Sequence, residues 1–162
     1  MGWRLSHSSV FASKCKLIFA VPIMNDLDWM VTHHFQEAIR YECDWAFAFD
    51  HGVCVTAACL WRLLDNGRIR VTSQDDGHRF GLPATVDCVF EVNKRLAGAI
   101  CTAIRLLEGT LDLEIKFASE HVLQLIPDSS GYEAWSVSDK SRQYIAVGGG
   151  DLFVIGSEEV RP

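Results

Sequence analysis

Over residues 111–117 every second side chain is apolar: Leu111, Leu113, Ile115 and Phe117 alternate with Asp112, Glu114 and Lys116. A period of two belongs to a strand with one buried and one wet face. Residues 118–121 form a polar break, and Leu123 and Leu125 resume the alternation, so the stretch predicts a β-hairpin. Proline cannot donate to a sheet ladder, so Pro127 and the Asp-Ser-Ser-Gly after it predict a loop. Tyr132, Ala134 and Ser136 then alternate with Glu133, Trp135 and Val137. Residues 144–147 and 152–155 read as the last two strands, separated by Gly148, Gly149 and Gly150.

The run D-L-E-I-K-F at 112–117, the run L-Q-L-I-P-D-S-S-G-Y-E-A-W at 123–135 and the glycine triplet resemble a family of small bacterial proteins with a Y-E-x-W signature. The likeness covers residues 44–155, and Tyr132-Glu133-Ala134-Trp135 is its most specific part. Some members of that family are of the immunity type found in toxin systems. The resemblance therefore implies a fold and a bacterial source, and no activity.

Half of the 162 residues are apolar (49%), and 22% are charged, which suits one globular domain with a sizeable core. Residues 24–160 are expected to form that domain, with residues 1–23 an N-terminal extension or an edge strand over 16–21. The apolar run at 17–23 is too short to span a bilayer and contains Pro22. A net charge of −6 without a basic cluster argues against nucleic acid. The six cysteines show no C-x-x-C spacing, and several sit in apolar runs, so reduced thiols in a cytoplasm are expected. Neither they nor His33 and His34 have zinc-ligand spacing, and no cofactor motif occurs.

Earlier in the chain, residues 25–42 predict a helical turn followed by a strand. Trp45, Phe47 and Phe49 form a strand that turns at Asp50-His51-Gly52. It returns through Val53 and Val55 in a strand read as continuous to Leu63. Asp65-Asn66-Gly67 turns into the next strand, and residues 74–81 are polar and turn-rich. A helix is predicted over about 84–97, capped by Thr85, with Val86, Val89, Phe90, Asn93, Leu96 and Ala97 on one face. Gly98 fits the left-handed position that ends a helix. Ile100, Thr102, Ile104 and Leu106 return to period two. The fold class is thus β-rich α+β: antiparallel strands in one bent sheet or two packed sheets, with one main helix. Asp44-Trp45-x-Phe47-x-Phe49 and Asp112-Leu113-x-Ile115-x-Phe117 start similar hairpins, each followed by a tryptophan, Trp61 or Trp135. An internal duplication and a chance match of two amphipathic hairpins both remain open.

Three groups carry candidate chemistry. Ser129, Ser130, Tyr132, Glu133 and Trp135 combine a loop, a carboxylate and aromatic walls. The plain structural alternative packs Tyr132 and Trp135 on opposite faces and ties Glu133 to the loop. Arg62, beside Trp61, either pairs with Glu133 or is an exposed strand residue. Asp76 and His78 lie in the densest polar cluster, which does acid–base work, holds a cation or is a solvated turn. No catalytic set or metal site can be assembled. The sequence therefore predicts a non-enzymatic module that binds another protein or itself. The alternative is a small-molecule-binding protein or enzyme with a pocket at the rim of a curved sheet.

Overall fold

The computed structural model describes residues 26–156. The strand expected over 16–21 lies outside them. Two antiparallel sheets and one main helix make up the fold, the second of the two arrangements that the sequence leaves open. Helical turn Asp28–Met30 leads into β1 (Phe35–Arg40), and β2 (Trp45–Phe49) and β3 (Cys54–Ala57) follow. The chain then runs through β4 (Leu60–Asp65), β5 (Arg68–Thr72), α1 (Cys88–Leu96) and β6 (Cys101–Leu106). It ends in β7 (Leu113–Phe117), β8 (His121–Ile126), β9 (Glu133–Ser138), β10 (Arg142–Val147) and β11 (Asp151–Gly156). The six-stranded sheet has the order β1-β2-β3-β9-β10-β11, and the five-stranded sheet β5-β4-β8-β7-β6.

These two orders are related. Adding five to each strand number of β1-β2-β3, and subtracting five from β9-β10, gives β6-β7-β8-β4-β5, which is the second sheet. Each half therefore places three strands in one sheet and two in the other. The registers match as well. Ala57 faces Trp135 and Val55 faces Val137 across β3–β9; Leu125 faces Trp61 and Leu123 faces Leu63 across β8–β4. Even the bulges correspond, after Phe35 in β1 and after Cys101 in β6. The equivalence of the two hairpins thus extends over five strands, and the halves interleave rather than lie side by side. Among the described strands only β11 has no counterpart.

The interleaving corrects one expectation. Residues 53–63 are not one strand: the chain leaves the first sheet after Ala57 and enters the second at Leu60. The N–H groups of Ala58 and Cys59 both donate to the carbonyl of Ala134, at 2.9 and 3.1 Å. Ala57, Cys59, Trp61 and Leu63 are all buried. The inward period of two therefore survives the change of sheet, which is why the break leaves no trace in the hydropathy pattern.

The inner faces meet in one core. Phe47, Val55, Trp135 and Val137 come from the first sheet, and Trp61, Leu63, Leu113, Ile115, Leu123 and Leu125 from the second. Phe35 and Phe49 stand edge to face with ring centroids 5.7 Å apart, and Phe49 stacks on Phe117 at 6.2 Å. Cys59, Cys88 and Cys101 act as small core side chains, and burial pushes their thiols up to about 12, 12 and 11. The five described cysteines are all free thiols.

The helix is shorter than its apolar pattern suggests. Residues 84–87 cannot join it, because the Val86 N–H donates to the His78 carbonyl and the Gly77 N–H to the Val86 carbonyl. Asp87, not Thr85, caps the helix, its carboxylate accepting from the Phe90 N–H at 2.9 Å. The buried stripe is Cys88, Val92 and Leu96, at i, i+4 and i+8, while Phe90 is 58% exposed. Gly98 does take a left-handed φ of +70°. Asn93 lies beside the stripe and bonds the backbone of β1 both ways: Ala38 N–H donates to its carbonyl at 2.6 Å, and its amide donates to Ala38 C=O at 3.2 Å. The helix thereby covers the edge of β1 as a neighbouring strand would.

The other edges differ in their protection. β5 carries exposed Arg68 and Arg70. The start of β6 is bonded to the segment before β1, with Cys101 N–H donating to His33 C=O and Thr32 N–H to Cys101 C=O. Among the described residues nothing pairs with the outer side of β11, where Phe153, Val154 and Ile155 are 43, 45 and 58% exposed.

Candidate functional site

The eight residues singled out in the sequence fall in three places. The loop before β9 holds Ser129, Ser130 and Tyr132, and Glu133 opens the strand. Ser129 Oγ accepts from the N–H groups of Gly131 and Tyr132, both at 3.2 Å. The Tyr132 carbonyl accepts from Gly148 N–H at 2.8 Å. A Cβ on Gly148 would overlap the backbone of residues 129–131, and one on Gly150 the carbonyl of Gly109. The glycine triplet is therefore a close backbone crossing that holds the loop in place.

Trp135 is buried below this loop, and its indole N–H donates to the Leu111 carbonyl at 2.8 Å. Tyr132 is 79% exposed and does not pack on the sheet. Glu133 is exposed and makes no side-chain hydrogen bond or ion pair among the described residues, so it does not tie the loop. Ser129 does that instead.

Asp76 and His78 sit at the start of α1. The Asp76 carboxylate accepts from Cys88 N–H at 3.1 Å, and the His78 ring stacks on Phe80 with centroids 5.6 Å apart. Both residues shape the turn before the helix.

Arg62 lies on β4, in the other sheet from Glu133, and the two do not pair. Its Nε donates to the Gln124 side-chain carbonyl at 2.6 Å. The Gln124 amide in turn donates to Glu114, and Glu114 stands 3.8 Å from the Arg105 guanidinium. Arg62, Gln124, Glu114 and Arg105 are register partners on β4, β8, β7 and β6, so they form a ladder across the outer face of the five-stranded sheet. The ladder lines a depression of about 100 Å³ closed by Leu107, Asp112 and Ile126.

The equivalent row on the six-stranded sheet is Ser136, Thr56, Ala46 and Ile39, continuing to Ile145 and Phe153. Here the only polar contact in the row among the described residues joins the Thr56 and Ser136 hydroxyls at 2.8 Å. One outer face is charged and notched; the other is small, apolar and extended by β11.

Sequence reasoning missed one polar pair. His33 Nδ1 lies 2.6 Å from the Asp50 carboxylate, with the His51 ring 5.8 Å from that of His33. The signal was present in Asp50-His51-Gly52, but turn chemistry accounted for it. Desolvation pushes the Asp50 carboxyl up; the His33 bond, a backbone bond from the His34 segment and the two imidazoles outweigh it and hold the group below its ordinary value. A depressed folded value adds stability above the unfolded value, about pH 4, and loses it as pH falls through the folded one. Asp50→Asn should therefore flatten the fall in melting temperature below about pH 4 seen by scanning calorimetry; an unchanged slope would mean that the pair contributes nothing.

No group of three or more metal-binding side chains occurs among the described residues, and no described helix is long and apolar enough to cross a membrane. In comparisons with known proteins the chain matches no family model, no curated protein and no solved structure.

Proposed function

We propose that this chain is a non-enzymatic protein-interaction module of the immunity type, acting in a bacterial cytoplasm. Its partner would seat on β11 and the adjoining outer face of the six-stranded sheet. One observation carries the reading: β11, the strand without a counterpart in the other half, leaves three large apolar side chains exposed on an edge that no described residue pairs with. Such an edge offers main-chain hydrogen bonds to an added strand, and its side chains select which strand. A net charge of −6 favours a basic partner through complementary potential. The resemblance around Tyr132-Glu133-Ala134-Trp135 points to the same class of role.

The test is capture of a partner from the native host, followed by amide exchange on the purified complex. The β11 amides should become protected, and Ile155→Lys should abolish capture without lowering the melting temperature. Capture that survives Ile155→Lys, or protection confined to another surface, would contradict the reading. A small-molecule role has one observation in its favour, the depression beside Arg62.

A further inference from the structure

The internal equivalence of the two halves separates what the fold requires from what it does not. At the positions equivalent to Arg62, Gln124, Glu114 and Arg105 the six-stranded sheet carries Ser136, Thr56, Ala46 and Ile39. The same strands, in the same register, form without any charge there. The charged ladder is therefore an addition to the five-stranded sheet and not a condition of its folding.

Several features of that ladder suit a ligand. Arg62 spends Nε on Gln124, and its two terminal nitrogens make no hydrogen bond to any described residue. Gln124 is held at both ends, by Arg62 and by Glu114, so the Arg62 fork has a fixed position. Arg105 is 67% exposed and lies 3.8 Å from Glu114, beyond hydrogen-bond length, so its donors are not used up by that pair. The two arginines start from strands about 14 Å apart, three strand spacings, yet both line the same depression. Asp112 and Glu114 bring two carboxylates to it, which balance the two guanidinium charges. Leu107 and Ile126 supply apolar wall.

We propose that this depression binds a zwitterion of the size and kind of a small apolar α-amino acid. The ligand carboxylate meets the guanidinium forks, the ammonium faces Asp112 and Glu114, and the side chain lies against Leu107 and Ile126. A dianion such as phosphate is disfavoured by the two carboxylates, and a bare amine by the two guanidinium groups. The inference rests on the small-molecule reading and does not involve β11.

The test is a titration of the whole chain with L-valine, isobutyrate, isobutylamine and inorganic phosphate in turn, followed by proton–nitrogen NMR. Valine should shift the Arg62 Nε, the Gln124 side-chain amide and the Asp112 amide. It should bind at least about tenfold more tightly than isobutyrate or isobutylamine, since each lacks one charge-assisted contact. Arg62→Gln and Arg105→Gln should each weaken valine by about tenfold. Arg105, being exposed and outside the core, gives a variant whose fold is safe if Arg62→Gln disturbs Gln124. Asp112→Asn should weaken valine and strengthen isobutyrate, since it removes an ammonium partner and a repelling carboxylate together. Isobutyrate, isobutylamine or phosphate binding more tightly than valine would overturn the ligand class while keeping a small-molecule site. An absence of shifts with every probe, or valine binding indifferent to both arginine changes, would overturn the site itself.

Discussion

Trp135→Ala is expected to lower stability by about 3–5 kcal/mol in urea unfolding, the range for deleting a large aromatic from a core. The side chain is buried and lies at the point where the second half crosses from one sheet to the other. It faces Ala57 across β3–β9, and its indole N–H holds the Leu111 carbonyl that leads into β7. Trp135→Phe keeps most of the packing but orphans that carbonyl, and should cost about 1–3 kcal/mol. The equivalent Trp61 Nε1 is buried without a hydrogen-bond partner among the described residues, so Trp61→Phe should cost less than Trp135→Phe. Glu133→Gln, on an exposed and unbonded side chain, should leave stability nearly unchanged. A loss below about 1 kcal/mol for Trp135→Ala would mean that the crossing is not held by this side chain.

Gly150→Ala should be the other costly change, on the order of 3 kcal/mol or more, because two penalties add. Gly150 has φ of +93°, a region that side-chain-bearing residues rarely adopt, and an added Cβ would overlap the Gly109 carbonyl. The obstacle is backbone, so no rotamer change relieves it. Gly149→Ala makes the control: its φ of +90° is as strained, but its Cβ would meet only the Ser130 carbonyl at 3.5 Å, an ordinary contact. The difference between the two variants in urea unfolding isolates the close crossing. Equal losses would place the whole effect in backbone strain.

The parts of this fold legible in the sequence are those set by local alternation. Leu111, Leu113, Ile115 and Phe117 are buried as their period demands, and Leu123 and Leu125 face them from β8. The turns at Asp50-His51-Gly52 and Asn66-Gly67 fall where their residues place them, with left-handed φ at His51, Gly52, Asn66 and Gly67. What the sequence hides is long-range. The helix starts at Cys88 because Val86 is bonded to His78, a contact between segments whose separation no periodicity encodes. The bulge after Cys101 moves the inward positions of β6 from those expected at Ile100 and Thr102. Arg62 bonds Gln124 rather than Glu133 because β4 pairs with β8, a choice made by sheet order and not by neighbouring residues. Residues 152–155 read as an ordinary strand, and only the strand order reveals that they form an edge among the described residues.

Both proposed surfaces depend on the exchange of strands between the halves, since it alone sets Ser136 beside Thr56 and Arg62 beside Gln124. Cross-strand proton contacts measured by NMR test that exchange directly. Nuclear Overhauser effects should connect Ala57 with Trp135 and Val55 with Val137, and equally Trp61 with Leu125 and Leu63 with Leu123. Absence of both sets, with the backbone instead extended without a break from Val53 to Leu63, would contradict the interleaved architecture and the two surfaces built on it.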